Sequence, residues 1–204
     1  MRCTPPLSSI EGLDPSQFIS FPEASRKVRA QWEAHILSSD PHPVQIACMD
    51  SETVLELVKF LRMRLNTLMK DNSAVARVGT WVWAILGRSR DRGELSSEEI
   101  SELRELAQRA VHLLQKQNAR CNGRISDEDL PWEDANEASD VEQFDTGADE
   151  HGIKDKIVDR NEAPVSNNLV AMTLDMIITV VGEVYGQRDL LELRSKWTVD
   201  GSAT

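Results

Sequence analysis

The sequence predicts an all-α fold: a helical bundle with an extended N-terminal arm, a short helix between arm and bundle, and a disordered acidic insert. Three observations predict it. Only 5% of the 204 residues are aromatic, and one alone is Tyr, which sets back a sandwich or barrel built from aromatic and β-branched strands. Apolar residues recur at helical spacing over four long stretches. Fourteen of the 34 acidic residues lie between Ser126 and Pro164 with only three of the 23 basic ones, so that segment carries the whole net charge of −11 and the remainder is balanced.

Residues 1–21 hold Pro5, Pro6, Pro15 and several serines, a composition that does not sustain a helix and reads as an extended arm. Pro22 then suits a first helical turn, and Val28, Trp32 and Ile36 at i, i+4, i+8 predict a short helix over 23–37, lying outside the bundle. From Asp50 or Ser51 as N-cap, Val54, Leu57, Val58, Leu61, Leu65 and Leu68 make an amphipathic helix over 50–69. The next spans 73–86 and places Gly87 for a left-handed C-cap, with Trp81 and Trp83 on different faces. Ser96 and Glu99 form a capping box for a helix over 96–117. Residues 118–164 show no sustained period and cannot bury enough surface to offset their ordering entropy. A helix over 167–185 is apolar on nearly every face, as the central member of a bundle would be, and Gly186 ends it before one or two further turns. The resulting division is 1–45 for arm and short helix, 46–117 and 165–204 for the bundle, and 118–164 for the insert.

The same residues argue against several function classes. The acidic balance disfavours binding of a phosphate backbone through a broad basic face. Cys3, Cys48 and Cys121 are odd in number and form no CxxC pair, which speaks against a disulfide framework or zinc knuckle and for a reducing compartment. His35, His42, His112 and His151 fall on separate elements without HxxxH or HExxH spacing, and GxGxxG, GxxxxGK[ST] and GxSxG are all missing. No catalytic residue, metal ligand or cofactor is therefore expected. The opening residues lack an apolar leader, and the longest apolar run, Leu169 to Gly182, is too short for a bilayer, so neither secretion nor a membrane partner is expected.

Four strings can be placed together: Val44-Gln45-Ile46; Gly79-Thr80-Trp81-Val82-Trp83-Ala84-Ile85-Leu86; Leu103-Arg104-Glu105-Leu106-Ala107-Gln108-Arg109; and Tyr185-Gly186-Gln187-Arg188-Asp189-Leu190. In that order they resemble the gem-associated protein 2 family, also called survival motor neuron interacting protein, with its Brr-like fungal relatives. Trp81, Gln187, Arg188 and Asp189 carry the most specific part of the match, and the segment from Ser25 to Trp32 looks like the family's helix ahead of its helical domain. The resemblance covers about Phe21 to Leu193 apart from the insert. It implies a non-enzymatic scaffold of the survival motor neuron complex, which assembles Sm proteins of the D, E, F and G types onto spliceosomal snRNA, touching the snRNA only indirectly, in cytoplasm and nucleus.

Under that resemblance a groove on the bundle receives a helix of the survival motor neuron protein, with Val82, Trp83, Leu86, Met176, Val180 and Tyr185 as the contacts and Leu106 and Leu113 beside them. The residue before the Trp is often basic in the family; here it is Thr80, and Arg77 one turn earlier is the substitute. Arg26, Arg29, Trp32 and Ile36 on the short helix are the expected Sm contacts, and removal of residues 1–40 is expected to leave the bundle folded. The family's longer arm, with a TPxxYL-like motif, finds no match. The rival reading is a helical adaptor or regulator that docks through its acidic insert.

Overall fold

The computed structural model describes residues 5–14, 26–121 and 163–194. All regular structure among them is helical: α1 (Leu7–Glu11), α2 (Arg26–Ser38), α3 (Pro43–Cys48), α4 (Ser51–Leu68), α5 (Val75–Arg88), a 3-10 turn at Arg92–Glu94, α6 (Ser97–Cys121), α7 (Ala163–Glu183) and α8 (Asp189–Glu192). The all-α expectation holds. The acidic segment expected to be disordered lies, but for its first few and last two residues, outside the described residues.

Helices α4, α5, α7 and α6 form a closed ring of four, each packed on the next, with α2 and α3 laid against α5 and α8 across the ends of α6 and α7. The core is the inward stripe of each helix, including Leu57, Leu61 and Leu65 of α4, Val78, Val82 and Ile85 of α5, Leu103, Leu106 and Ala110 of α6, and Leu174, Ile177 and Val181 of α7. The two starts read from local chemistry are present as drawn. The Thr53 amide donates to Asp50 Oδ1 at 2.7 Å, and the Ser96 and Glu99 amides exchange bonds with Glu99 Oε2 (2.8 Å) and Ser96 Oγ (3.2 Å).

These caps make a prediction about acid. The Thr53 hydroxyl and amide hold the Asp50 carboxyl below the usual carboxylate range, and the Ser96 amide does the same for Glu99. A carboxyl lowered in the folded state contributes stability that is present above its unfolded pKa, near 4, and is lost as pH falls through the lower folded value. Asp50→Ala is expected to cost about 1 kcal/mol at pH 7. The gap should narrow in urea titrations as pH falls below the ordinary carboxylate range; an undiminished gap in acid would mean the carboxylate contributes nothing as an acceptor.

Several expectations need correction. The arm is not wholly extended: Leu7–Glu11 form a short helix against α3, and Leu13 is buried. Helix α3 was not foreseen; Pro43 at its first turn and His42 Nδ1, accepting from the Val44 amide at 3.3 Å, start it. Gly87 does not cap α5 in the left-handed region, because the helix continues through Arg88 and the Ser89 amide closes its end on the Ile85 and Leu86 carbonyls. Gly186, with φ of 77°, does take that role after α7. Helix α6 runs on to Cys121.

Helix α2 is the largest correction. Its Trp32 and Ile36 are fully buried, so the helix belongs to the body and does not lie outside it. Trp32 meets Trp81 edge to face, centroids 5.9 Å apart at 87°, with His35 beside both rings. Removal of residues 1–40 would open this cluster, reversing the expectation that the bundle survives it.

Candidate partner-helix groove

The site is built around α5, whose two outer faces do different things. Arg77, Trp81 and Arg88, at i, i+4 and i+11, form a stripe of donors along its back. Arg77 donates to the Leu37 carbonyl and its Nε lies 3.4 Å from Asp40. Trp81 Nε1 donates to the Ser39 carbonyl at 2.7 Å. Arg88 donates to the carbonyls of Ile46 (3.0 Å), Ala47 (3.0 Å) and Met49 (2.8 Å), satisfying the open C-terminal turn of α3. This stripe covers the back of α5 with the chain's own α2 and α3.

Among the described residues the front of α5 is left open beside α7. A Cβ at Gly79 would lie 3.1 Å from Thr173 Oγ1, so α5 and α7 come closest there. The Tyr185 hydroxyl donates to the Leu86 carbonyl at 2.6 Å, so the two helices run in the same direction along one seam. Trp83, one turn beyond Gly79, is 61% exposed. Across the seam Leu169, Met176 and Val180, at i−4, i+3 and i+7 from Thr173, are half-buried, and Met172 is 54% exposed. None of these side chains is charged. Trp83 and Met172 thus leave an exposed apolar strip along the seam between two parallel helices.

The expected site residues divide accordingly. Trp83, Met176 and Val180 share the seam. Val82, Leu86, Leu106 and Tyr185 are buried and serve as its foundation, not as contacts, because α4 and α7 pack against α5 and the core fills its inner side. Leu113 is half-buried on α6, and Arg77 is engaged by Leu37 and Asp40 and not held out for a partner. On α2, Arg26 is exposed and Arg29 half-buried, whereas Trp32 and Ile36 are inside and cannot touch an Sm protein in this state. Met172 and Gly79 were not foreseen. A helix apolar on every side gave no reason to single out Met172, and Gly79 shows its purpose only once Thr173 is opposite it.

The most specific strings turn out to be joined. Arg104 of α6 donates to Gln187 Oε1 (2.6 Å) and forks onto Asp189 (2.9 and 2.5 Å). This bond lowers the Asp189 carboxyl from its ordinary value. Arg188 remains exposed. Trp81, Tyr185, Gln187 and Asp189 thus hold the bundle together at its seams and ends. Among the described residues no group of three or more His, Cys, Asp or Glu could hold a metal, and no helix is long and apolar enough to cross a membrane.

Comparison with protein families matches the chain to Survival motor neuron (SMN) interacting protein 1 (SIP1) over residues 1–188. The chain belongs to this family. The match begins at residue 1 and runs through the acidic segment, further toward the N-terminus than the resemblance starting at Phe21, and it stops just short of Asp189. The SIP1 family is a survival motor neuron interacting family of scaffold type, and survival motor neuron protein is accordingly the partner its name gives. No curated protein and no solved structure shows significant similarity to this SIP1 family member.

Proposed function

We propose that this SIP1 family member is a non-enzymatic scaffold whose α5/α7 seam receives an amphipathic helix of the survival motor neuron protein. Through that contact it takes part in assembling Sm proteins of the D, E, F and G types onto spliceosomal snRNA, in cytoplasm and nucleus. The single observation that carries the docking site is Trp83: a large, 61% exposed indole flanked by Met172, Met176 and Val180, on a helix whose other outer face the chain covers for itself. The exposed start of α2, with Arg26 and Lys27, supports an Sm-facing surface there. A depression between the starts of α4 and α6 fits the non-enzymatic reading: its charged groups, Arg90 and Glu99, face each other at 3.8 Å, and Arg90 also donates to Ser51 Oγ at 2.7 Å.

Calorimetric titration of the full chain with survival motor neuron protein of the same organism tests the site. Trp83→Ala should weaken binding by about 2 kcal/mol or more, roughly thirtyfold, with an unchanged melting temperature, since the side chain supports no core contact. The wild-type titration should show the negative heat-capacity change of apolar burial. Equal affinity of Trp83→Ala and wild type would remove the seam from the interface and bring forward docking through the acidic segment.

A further inference from the structure

Residues 186–194 leave α7 at Gly186, whose φ of 77° lets the Gln187 amide reach back to the Val181 carbonyl at 3.2 Å. The backbone bonds that follow are local: the amides of Leu190, Leu191, Leu193 and Arg194 reach the carbonyls of Gln187, Arg188, Leu190 and Leu191. A helix of four residues is not stable alone, so side chains hold the segment. Arg104 of α6 grips Gln187 and Asp189 at its start, and Leu190 enters the core. Leu191 fills the notch at Gly182, where its Cδ2 would lie 2.5 Å from an added Cβ, and Arg194 forks onto Asp175 at the far end. Asp175 is ten positions before Tyr185, about 15 Å back along the helix, so the segment runs over the C-terminal half of α7.

The turn is tied to α5 as well. Tyr185, the residue before Gly186, is buried and donates to the Leu86 carbonyl at 2.6 Å, while the Arg92 guanidinium, from the connection between α5 and α6, packs over Gly186. Tyr185 lies past Glu183, the last residue of α7, where no further helical turn fixes its direction. The segment that follows fixes it instead.

We propose that residues 186–194 form a strap that opens and closes as one unit, and that Arg104, which closes it, is a positioning residue that keeps Tyr185 aimed at α5. With the strap closed, the C-terminal half of α7 is clamped on α5 and α6; with it open, the last turns of α7 fray while α4 stays intact. Both ion pairs of the strap are part-exposed, so rising salt loosens it. Its consequence for partner binding rests on the groove reading above, because Val180 lies under the strapped half of α7.

The test compares amide hydrogen exchange in the full chain for wild type, Arg104→Met, Tyr185→Phe, the double variant, and Arg62→Met, which removes a different arginine, one paired with Glu102 and Glu105. Arg104→Met and Tyr185→Phe should each speed exchange over residues 181–187 by about tenfold or more, with α4 protected as before, and Arg62→Met should not. The double variant should be no faster than the faster single one, since both break the same linkage. Rates that multiply in the double variant would show two independent contacts and overturn the positioning role; acceleration spread evenly over the bundle would overturn the strap as a unit. Calorimetric titration with survival motor neuron protein, well below the melting temperature, should show Arg104→Met weakened by about threefold. Unchanged affinity of Arg104→Met beside a weakened Trp83→Ala would overturn the strap's effect on the seam, whereas unchanged affinity of both would sink the groove reading and leave the strap to be decided by exchange.

Discussion

Trp32→Ala is expected to lower the unfolding free energy by about 3–5 kcal/mol and the melting temperature by about 10 °C. The indole is fully buried between α2, α4 and α5, and its edge-to-face contact with Trp81 is completed by His35, whose ring lies 5.3 Å from that of Trp81. Removing it empties a volume that the helices around it cannot close, since Trp81 is fixed by its bond to Ser39 and α2 by Arg64 of α4, which forks onto Glu33 at 2.8 and 3.1 Å. Arg26→Ala, on the exposed start of the same helix, should change stability by less than about 0.5 kcal/mol. Denaturant unfolding of the two variants separates a core helix from an accessory one. A Trp32→Ala loss below about 1 kcal/mol would return α2 to the periphery.

Arg88→Met is expected to cost about 2–3 kcal/mol, the second largest effect, although the residue is only half-buried. Methionine keeps the apolar stem and removes the guanidinium, so the loss reports the hydrogen bonds to Ile46, Ala47 and Met49. Those carbonyls belong to the last turn of a six-residue helix and its cap, where the Met49 amide meets the Ile46 carbonyl at 3.3 Å. Amide hydrogen exchange should show faster opening confined to α3 and the adjoining Leu7–Glu11 helix, with α6 and α7 protected as before. Uniform acceleration across the bundle would instead mean that Arg88 holds the whole fold.

How much of this was legible in the sequence follows from the range of each interaction. Asp50 with Thr53 and Ser96 with Glu99 act over three residues, so the starts of α4 and α6 could be read directly. Trp81 and Trp83, two positions apart on a helix, had to face different ways, and they do. The stripe Val28, Trp32, Ile36 established that α2 has an apolar face but could not say whether that face meets this chain or another. The donors that decide it, Arg77 and Trp81, lie some forty positions away. Helix α3 is too short for periodicity, and Gly87 obeyed a capping rule that the Ser89 amide overrode.

The burial of the expected groove residues was legible in part for the same reason. Trp83 is exposed and Met176 and Val180 are half-buried, along the α5/α7 seam where their spacing had put them. Val82, Leu86, Leu106 and Tyr185 were misplaced because hydrophobic spacing marks burial without distinguishing a core from an interface. Helix α7, apolar on nearly every face, withheld its orientation until Gly79 and Leu86 on α5 fixed it.

The donor stripe on the back of α5 has a consequence for how this chain can vary over time. Arg77, Trp81 and Arg88 grip main-chain carbonyls, which every amino acid supplies whatever its side chain. Substitution at half-exposed Ser39 or Ala47 therefore leaves the acceptor in place, whereas replacing any of the three donors removes the bond outright. The burden of keeping α2 and α3 docked falls on one side of the contact, and positions such as Ser39 and Ala47 are free to change while the path of the chain through space stays the same.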